Sequence, residues 1–103
     1  MYLNITARRF RLPDDLRQYV EEKSLKLGRY HEGILGMDII LGWERQSRYV
    51  EMIIDVNQRK VIVKEESDDL RKSFDLVLDR AERQLKKHKA KVRSTEKDKV
   101  HSA

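Results

Sequence analysis

Two rhythms of apolar residues run along the chain, one with the period of a strand and one with that of a helix. Tyr2-Leu3-Asn4-Ile5-Thr6 puts Leu3 and Ile5 on one side, which predicts a short first strand. In Leu12-Pro13-Asp14-Asp15 a proline at a first helical position is followed by carboxylates, which predicts a helix start. Leu16, Tyr19, Val20, Leu27 and Tyr30 then recur at steps of three, four and seven, predicting a helix from Pro13 to about Tyr30. Gly33 and Gly36 bracket the next turn. Met37, Ile39, Leu41 and Trp43 form the inner face of a second strand, and Val50, Met52, Ile54 and Val56 that of a third. Gln46-Ser47-Arg48 is the polar turn between them. Asn57-Gln58-Arg59-Lys60 reads as a hairpin turn, and Val61 and Val63 as a shorter fourth strand. After the capping cluster Ser67-Asp68-Asp69, the residues Leu70, Phe74, Val77, Leu78, Ala81, Leu85 and Val92 predict one long helix from about Asp69 to Arg93. Ser94 to Ala103 is polar and is expected to be a flexible tail.

The element order is β-α-β-β-β-α. Short turns make strands two to four an antiparallel meander, whereas the first strand arrives by a helical crossover and so pairs in parallel. Two apolar helix faces need one sheet face to cover. The expected fold is therefore α+β: a two-layer sandwich with a four-stranded mixed sheet and both helices on one side. Residues 1–93 form a single domain on this reading, with Trp43 and Phe74 in its core. The other sheet face is half polar but carries Ile40, Ile53 and Ile62. Strand propensity is the simplest account of those three, and a partner surface the sharper one.

Composition narrows the function classes. The chain has 103 residues and no Cys, which excludes disulfides and thiolate zinc sites. A reducing cytoplasmic setting follows as an expectation. No apolar run approaches membrane-spanning length, and Met1 to Phe10 lacks the apolar stretch of a secretory leader. Charged residues make up 40% of the chain, yet 39% is hydrophobic, enough for a small core.

The net charge of +5 is unevenly placed. From Arg80 to Arg93 there are seven basic residues against Glu82 alone, a balance of +6, while residues 1–79 sum to −1. Such a stripe is the footprint of a polyanion binder; the plainer account is a solvated helix end favoured by the macrodipole. On a helical wheel Arg80, Lys87 and Lys91 share one flank, continued by Arg83 and Lys86, while Asp75, Asp79 and Glu82 take the other. A merely solubilising helix would interleave the signs, so the sorting favours an anion-binding face. Lys23 and Lys26 add cations from the first helix, and side-by-side helices would let both basic flanks border one groove. The aromatic residues form no exposed row on strands, which favours structured RNA over single-strand reading.

Catalytic signatures are missing. No nucleophile elbow, dinucleotide fingerprint or phosphate loop is present, and His31, His88 and His101 share no metal-ligand spacing. The chain is read as a non-enzyme, with neither cofactor nor metal.

The residues also form a known pattern. Leu3-Asn4-Ile5-Thr6, Leu16-Arg17 with Tyr19-Val20 and Lys23, and Lys26-Leu27 with Tyr30 occur in order. Asp69, Asp75, Asp79, Arg83-Gln84-Leu85 and Lys87-His88-Lys89 complete the set. The chain resembles the ribosome hibernation promoting factor / protein Y family, in its short form, once called sigma-54 modulation proteins. The resemblance implies a fold akin to double-stranded-RNA-binding domains. It also implies binding to the small ribosomal subunit at the decoding region through 16S rRNA, blocking mRNA and tRNA in stationary phase or stress. By position the implied RNA contacts are Lys23, Lys26, Arg80, Arg83, Lys87 and Lys91, with Lys86 and Lys89 beside them. A separate ribosome modulation factor is a further implied partner. Two departures stand out: Asn57-Gln58-Arg59-Lys60 where the family often has a Gly-rich turn, and Arg71-Lys72 where it often has small residues. The alternatives are a protein-interaction module acting on transcription and a generic structured-RNA binder.

Overall fold

Alternation and turn chemistry set the sheet. In the computed structural model, which describes the backbone of residues 1–101 and the side chains of residues 1–87, four strands lie in the order β1-β2-β3-β4. They are β1 (Tyr2–Arg8), β2 (Ile34–Glu44), β3 (Ser47–Val56) and β4 (Arg59–Ser67). Strands β1 and β2 pair in parallel, and the other pairs are antiparallel. The helices are α1 (Asp14–Tyr30), the crossover between β1 and β2, and α2 (Leu70–His101). The predicted α+β order and mixed sheet are observed.

The inner faces of the strands meet both helices in one core. Met37, Ile39, Leu41, Val50, Met52 and Ile54 are fully buried against Val20 of α1 and Phe74, Val77 and Ala81 of α2. Leu3 and Ile5 pack on its margin. Burial of this apolar surface is the main favourable term in folding.

Boundaries differ from the sequence pattern where polar residues hide the backbone's course. The turn between β3 and β4 is Asn57-Gln58 alone, at φ 47° and 65°. Positive φ at both positions is the two-residue turn whose twist matches a hairpin. Arg59 and Lys60 are therefore already in β4, which is nine residues long rather than short. Its ladder against β3 continues to Ser67, past the last apolar signal at Val63, because the hairpin fixes the register. Strand β2 begins at Ile34, with a register slip before Gly36 that leaves Leu35 58% exposed. Helix α2 continues past Arg93 to His101. Residues 94–101 contain neither Gly nor Pro, so nothing there stops it. Ser102 and Ala103, the end of the expected tail, lie outside the described residues.

Phe74 is fully buried as expected, but Trp43 is 43% exposed. Trp43 has the parity of the inner face, yet it sits one residue from the end of β2, where Phe10 and Arg48 lie against it instead of core.

The outer sheet face carries Ile40 and Ile53, both half-buried, and Ile62, 61% exposed. Two tyrosines of this face lie over glycines directly across the ladder: Tyr2 over Gly36, and Tyr49 over Gly42. A Cβ at either glycine would overlap the ring.

At the start of α2, Asp69 caps the helix by accepting from the Lys72 amide at 3.0 Å. Ser73, fully buried, donates to the Arg48 carbonyl of β3 at 2.6 Å and so ties the helix to the sheet. Ser24 of α1 is also fully buried, and its hydroxyl has no hydrogen-bond partner among the described residues. An unpaired buried hydroxyl is destabilising, and alanine is the better helix former. Ser24→Ala is therefore expected to stabilise the protein by about 1 kcal/mol in urea unfolding. A loss of stability would contradict this account.

Candidate nucleic-acid interface

Core packing fixes the rotation of α2 and hence the direction of its cations. Leu70, Phe74, Val77, Ala81 and Leu85 turn inward, so Arg80, Arg83, Lys86 and Lys87 point away from the core. Helix α2 packs on β3 and β4, and α1 sits toward β1 and β2.

This arrangement reverses one expectation. The basic flank of α2 does not face α1. Arg80 leans over β4, where its Nη1 lies 3.0 Å from the Glu65 carboxylate and 3.5 Å from the Lys64 carbonyl. The flank facing α1 is the acidic one. Asp75 accepts from the Tyr19 hydroxyl at 2.6 Å, and Glu82 shares a cleft of about 280 Å³ with Lys23, Lys26, Tyr30 and Leu78. The wheel gave the angular sorting correctly, but it contains nothing about which side the neighbouring helix occupies.

The sorting is also less complete than the wheel suggests. Arg83 pairs with Asp79 at 2.5 Å, and Lys86 with Glu82 at 3.9 Å, both at a spacing of four. A step of four turns the helix by only about 40° past a full turn, so residues across the flank boundary still meet. Lys87 is exposed and makes no ion pair among the described residues. These pairs do not close the surface to phosphate. Exposed ion pairs contribute about 0–1 kcal/mol, so a phosphate can take over the cation at little cost.

Lys23 is half-buried with Nζ 5.7 Å from the Tyr19 ring centre, and Lys26 is exposed with Nζ 5.9 Å from that of Tyr30. Tyr30, expected on the buried stripe of α1, is 71% exposed at the helix end. The side chains of Lys89 and Lys91, also expected in the interface, lie outside the described residues. The six described cations therefore spread across the outer surface of the helical layer, from α1 to the β4 edge, with Asp79 and Glu82 among them. Among the described residues there is no cluster of metal-binding side chains, and no helix is long and apolar enough to cross a membrane.

Sequence reasoning missed the joint between the helices. The Arg71 guanidinium sits 4.0 Å above the Tyr19 ring, which also meets Phe74 edge-on at 5.8 Å. Arg71 is one of the two departures from the family pattern, and here it helps join α2 to α1.

The comparisons with known proteins agree with this fold. A ribosomal subunit interface protein from Coxiella burnetii superposes with a TM-score of 0.81 at 26% identity, covering 87% of this chain and 99% of that one. The N-terminal domain of Thermus thermophilus protein Y superposes with a TM-score of 0.76 at 31% identity, over 85% and 99%. The architecture is that of these two proteins. The family model for sigma 54 modulation protein / S30EA ribosomal protein matches residues 3–93, and the chain belongs to that family. Relatives named ribosome hibernation promoting factor include one from Azotobacter vinelandii, 34% identical over 88% of this chain and 85% of its own length. Another, from Escherichia coli K12, is 30% identical over 90% and 98%. The family is non-enzymatic.

The Tyr19–Asp75 bond gives a pH signature. The bond raises the Tyr19 pKa above 10.0, helped by desolvation and opposed by Arg71. A raised phenol pKa means the folded state favours the neutral form. That contribution is complete below pH 10.0 and is lost as pH rises through the folded-state value. Tyr19→Phe is expected to cost about 1 kcal/mol at neutral pH and to flatten the alkaline loss of stability. Unfolding curves on either side of pH 10.0 check both effects.

Proposed function

We propose that this protein is a ribosome hibernation factor. In this reading it binds the small ribosomal subunit at the decoding region through 16S rRNA, blocks mRNA and tRNA, and inhibits translation in stationary phase or stress. The observation that carries the reading is the family match over residues 3–93, with relatives named for ribosome hibernation. The surface chemistry supports it. Lys23, Lys26, Arg80, Arg83, Lys86 and Lys87 hold cations on the outside of one rigid layer, suited to phosphates on a folded RNA. Lys89 and Lys91 extend the basic sequence in the same helix. The protein works in the cytoplasm, alone or with a separate small modulation factor. Residues 1–93 supply the ribosome-binding domain.

Mechanistically, the Lys and Arg side chains displace counterions from rRNA phosphates, and the packed domain occupies space that messenger and tRNA require. Binding is expected to weaken with a log–log salt slope of about −4 to −5 for six phosphate contacts. Co-sedimentation with purified small subunits across a salt series measures that slope. Absence of binding at low salt overturns the proposal. Reversing Arg83 and Lys87 together to Glu is expected to abolish co-sedimentation while leaving unfolding within about 0.5 kcal/mol of the parent protein. Unchanged binding by that variant refutes the assigned face.

A further inference from the structure

A second, separate set of cations lies at one end of the sheet. The parallel register brings Arg8 beside Gly42, so β1 ends where β2 approaches its turn into β3. Arg9, Arg45 and Arg48 converge there with Phe10 and Trp43. Arg9 and Arg45 line the same cleft of about 700 Å³. Both are exposed, and neither makes an ion pair among the described residues. Both also have positive φ, 68° and 48°, a region arginine rarely occupies. The turns account for that backbone, but Asn or Gly would satisfy them as well. Turn geometry does not account for the guanidinium groups.

Beside the cleft is a stack. The Phe10 and Trp43 rings lie 5.3 Å apart at 7°. The Arg48 guanidinium lies over the indole, 4.2 Å from its centre, and is held by donation to the Ser47 carbonyl at 3.2 Å. Trp43 nevertheless remains 43% exposed. A guanidinium plane fixed over an aromatic ring is a surface on which an unpaired base stacks, and two nearby free guanidinium groups suit the phosphates on either side of it. Glu44 is the one carboxylate lining the cleft, against the two arginines there.

We propose that this strand-end cluster is a binding site for unpaired RNA, with the base on the Arg48–Trp43 stack and the phosphates on Arg9 and Arg45. Double-stranded RNA suits it poorly, because paired bases keep their faces inside the duplex. The site is distinct from the outer surface of the helices, so the two can fail independently.

Trp43 is the only tryptophan in the chain, and its fluorescence reports on this site. A short single-stranded oligouridylate at low salt is expected to quench it, and a blunt RNA duplex at equal phosphate concentration to quench it far less. Arg9→Asn with Arg45→Asn keeps residue types that tolerate the left-handed backbone and removes both charges. This pair is expected to weaken oligouridylate binding by about tenfold or more. Arg48→Lys keeps its charge but loses the plane, and is expected to weaken binding with the cleft arginines intact. The Arg83→Glu, Lys87→Glu variant is expected to bind oligouridylate normally while losing small subunits, which separates this site from the helix-face reading. The proposal is overturned by no quenching at low salt or by equal quenching with duplex. It is also overturned by equal quenching with oligoglutamate, which marks an acidic-protein surface, or by unchanged binding in both arginine variants.

Discussion

One-sided burial of the sheet governs everything else in this molecule. Each strand commits every second side chain to the helices, and a shift of one residue would turn the whole apolar set toward water. Met37, Ile39, Leu41, Met52 and Ile54 leave no freedom in that choice. The same core fixes the rotation of α2 through Phe74, Val77 and Ala81. Once those three face inward, the direction of every cation on the helix is decided. The orientation of the cationic surface is in this sense a by-product of apolar packing. The charges contribute little to folding, and the fold determines where they point.

The cations on α2 do not stand alone, and this bears on how strongly the surface attracts anions. Arg80, Arg83 and Lys86 each face a carboxylate in the free protein. Such pairs hold long side chains near one geometry, yet in water they are weak enough to be exchanged for a phosphate. A face of wholly unpaired cations would attract any polyanion more strongly but would repel itself. The Asp79 and Glu82 partners moderate both tendencies.

Much of this was legible in the sequence, because alternation and helical spacing are direct imprints of burial. Val50-x-Met52-x-Ile54-x-Val56 admits one reading, and the strand is there. What was not legible depends on relations between elements. Nothing in the spacing of Arg80, Lys87 and Lys91 tells on which side of α2 the first helix lies. Trp43 follows the parity of its strand perfectly, and only its place near the strand's end shows that the helical layer does not cover it. The true turn at Asn57-Gln58 was blurred because Arg59 and Lys60 are polar strand residues, and polarity alone does not distinguish an exposed strand from a loop.

The two glycine–tyrosine pairs on the outer sheet face have an evolutionary reading. Tyr2 occupies the volume a side chain at Gly36 would need, and Tyr49 does the same at Gly42. Each pair sits directly across a strand ladder, so neither member can drift alone: the glycine cannot gain a Cβ until the ring has gone, and removing the ring bares the glycine's backbone. Among descendants of this sequence the paired positions should change in concert. They form two small units of inheritance on the outer sheet face.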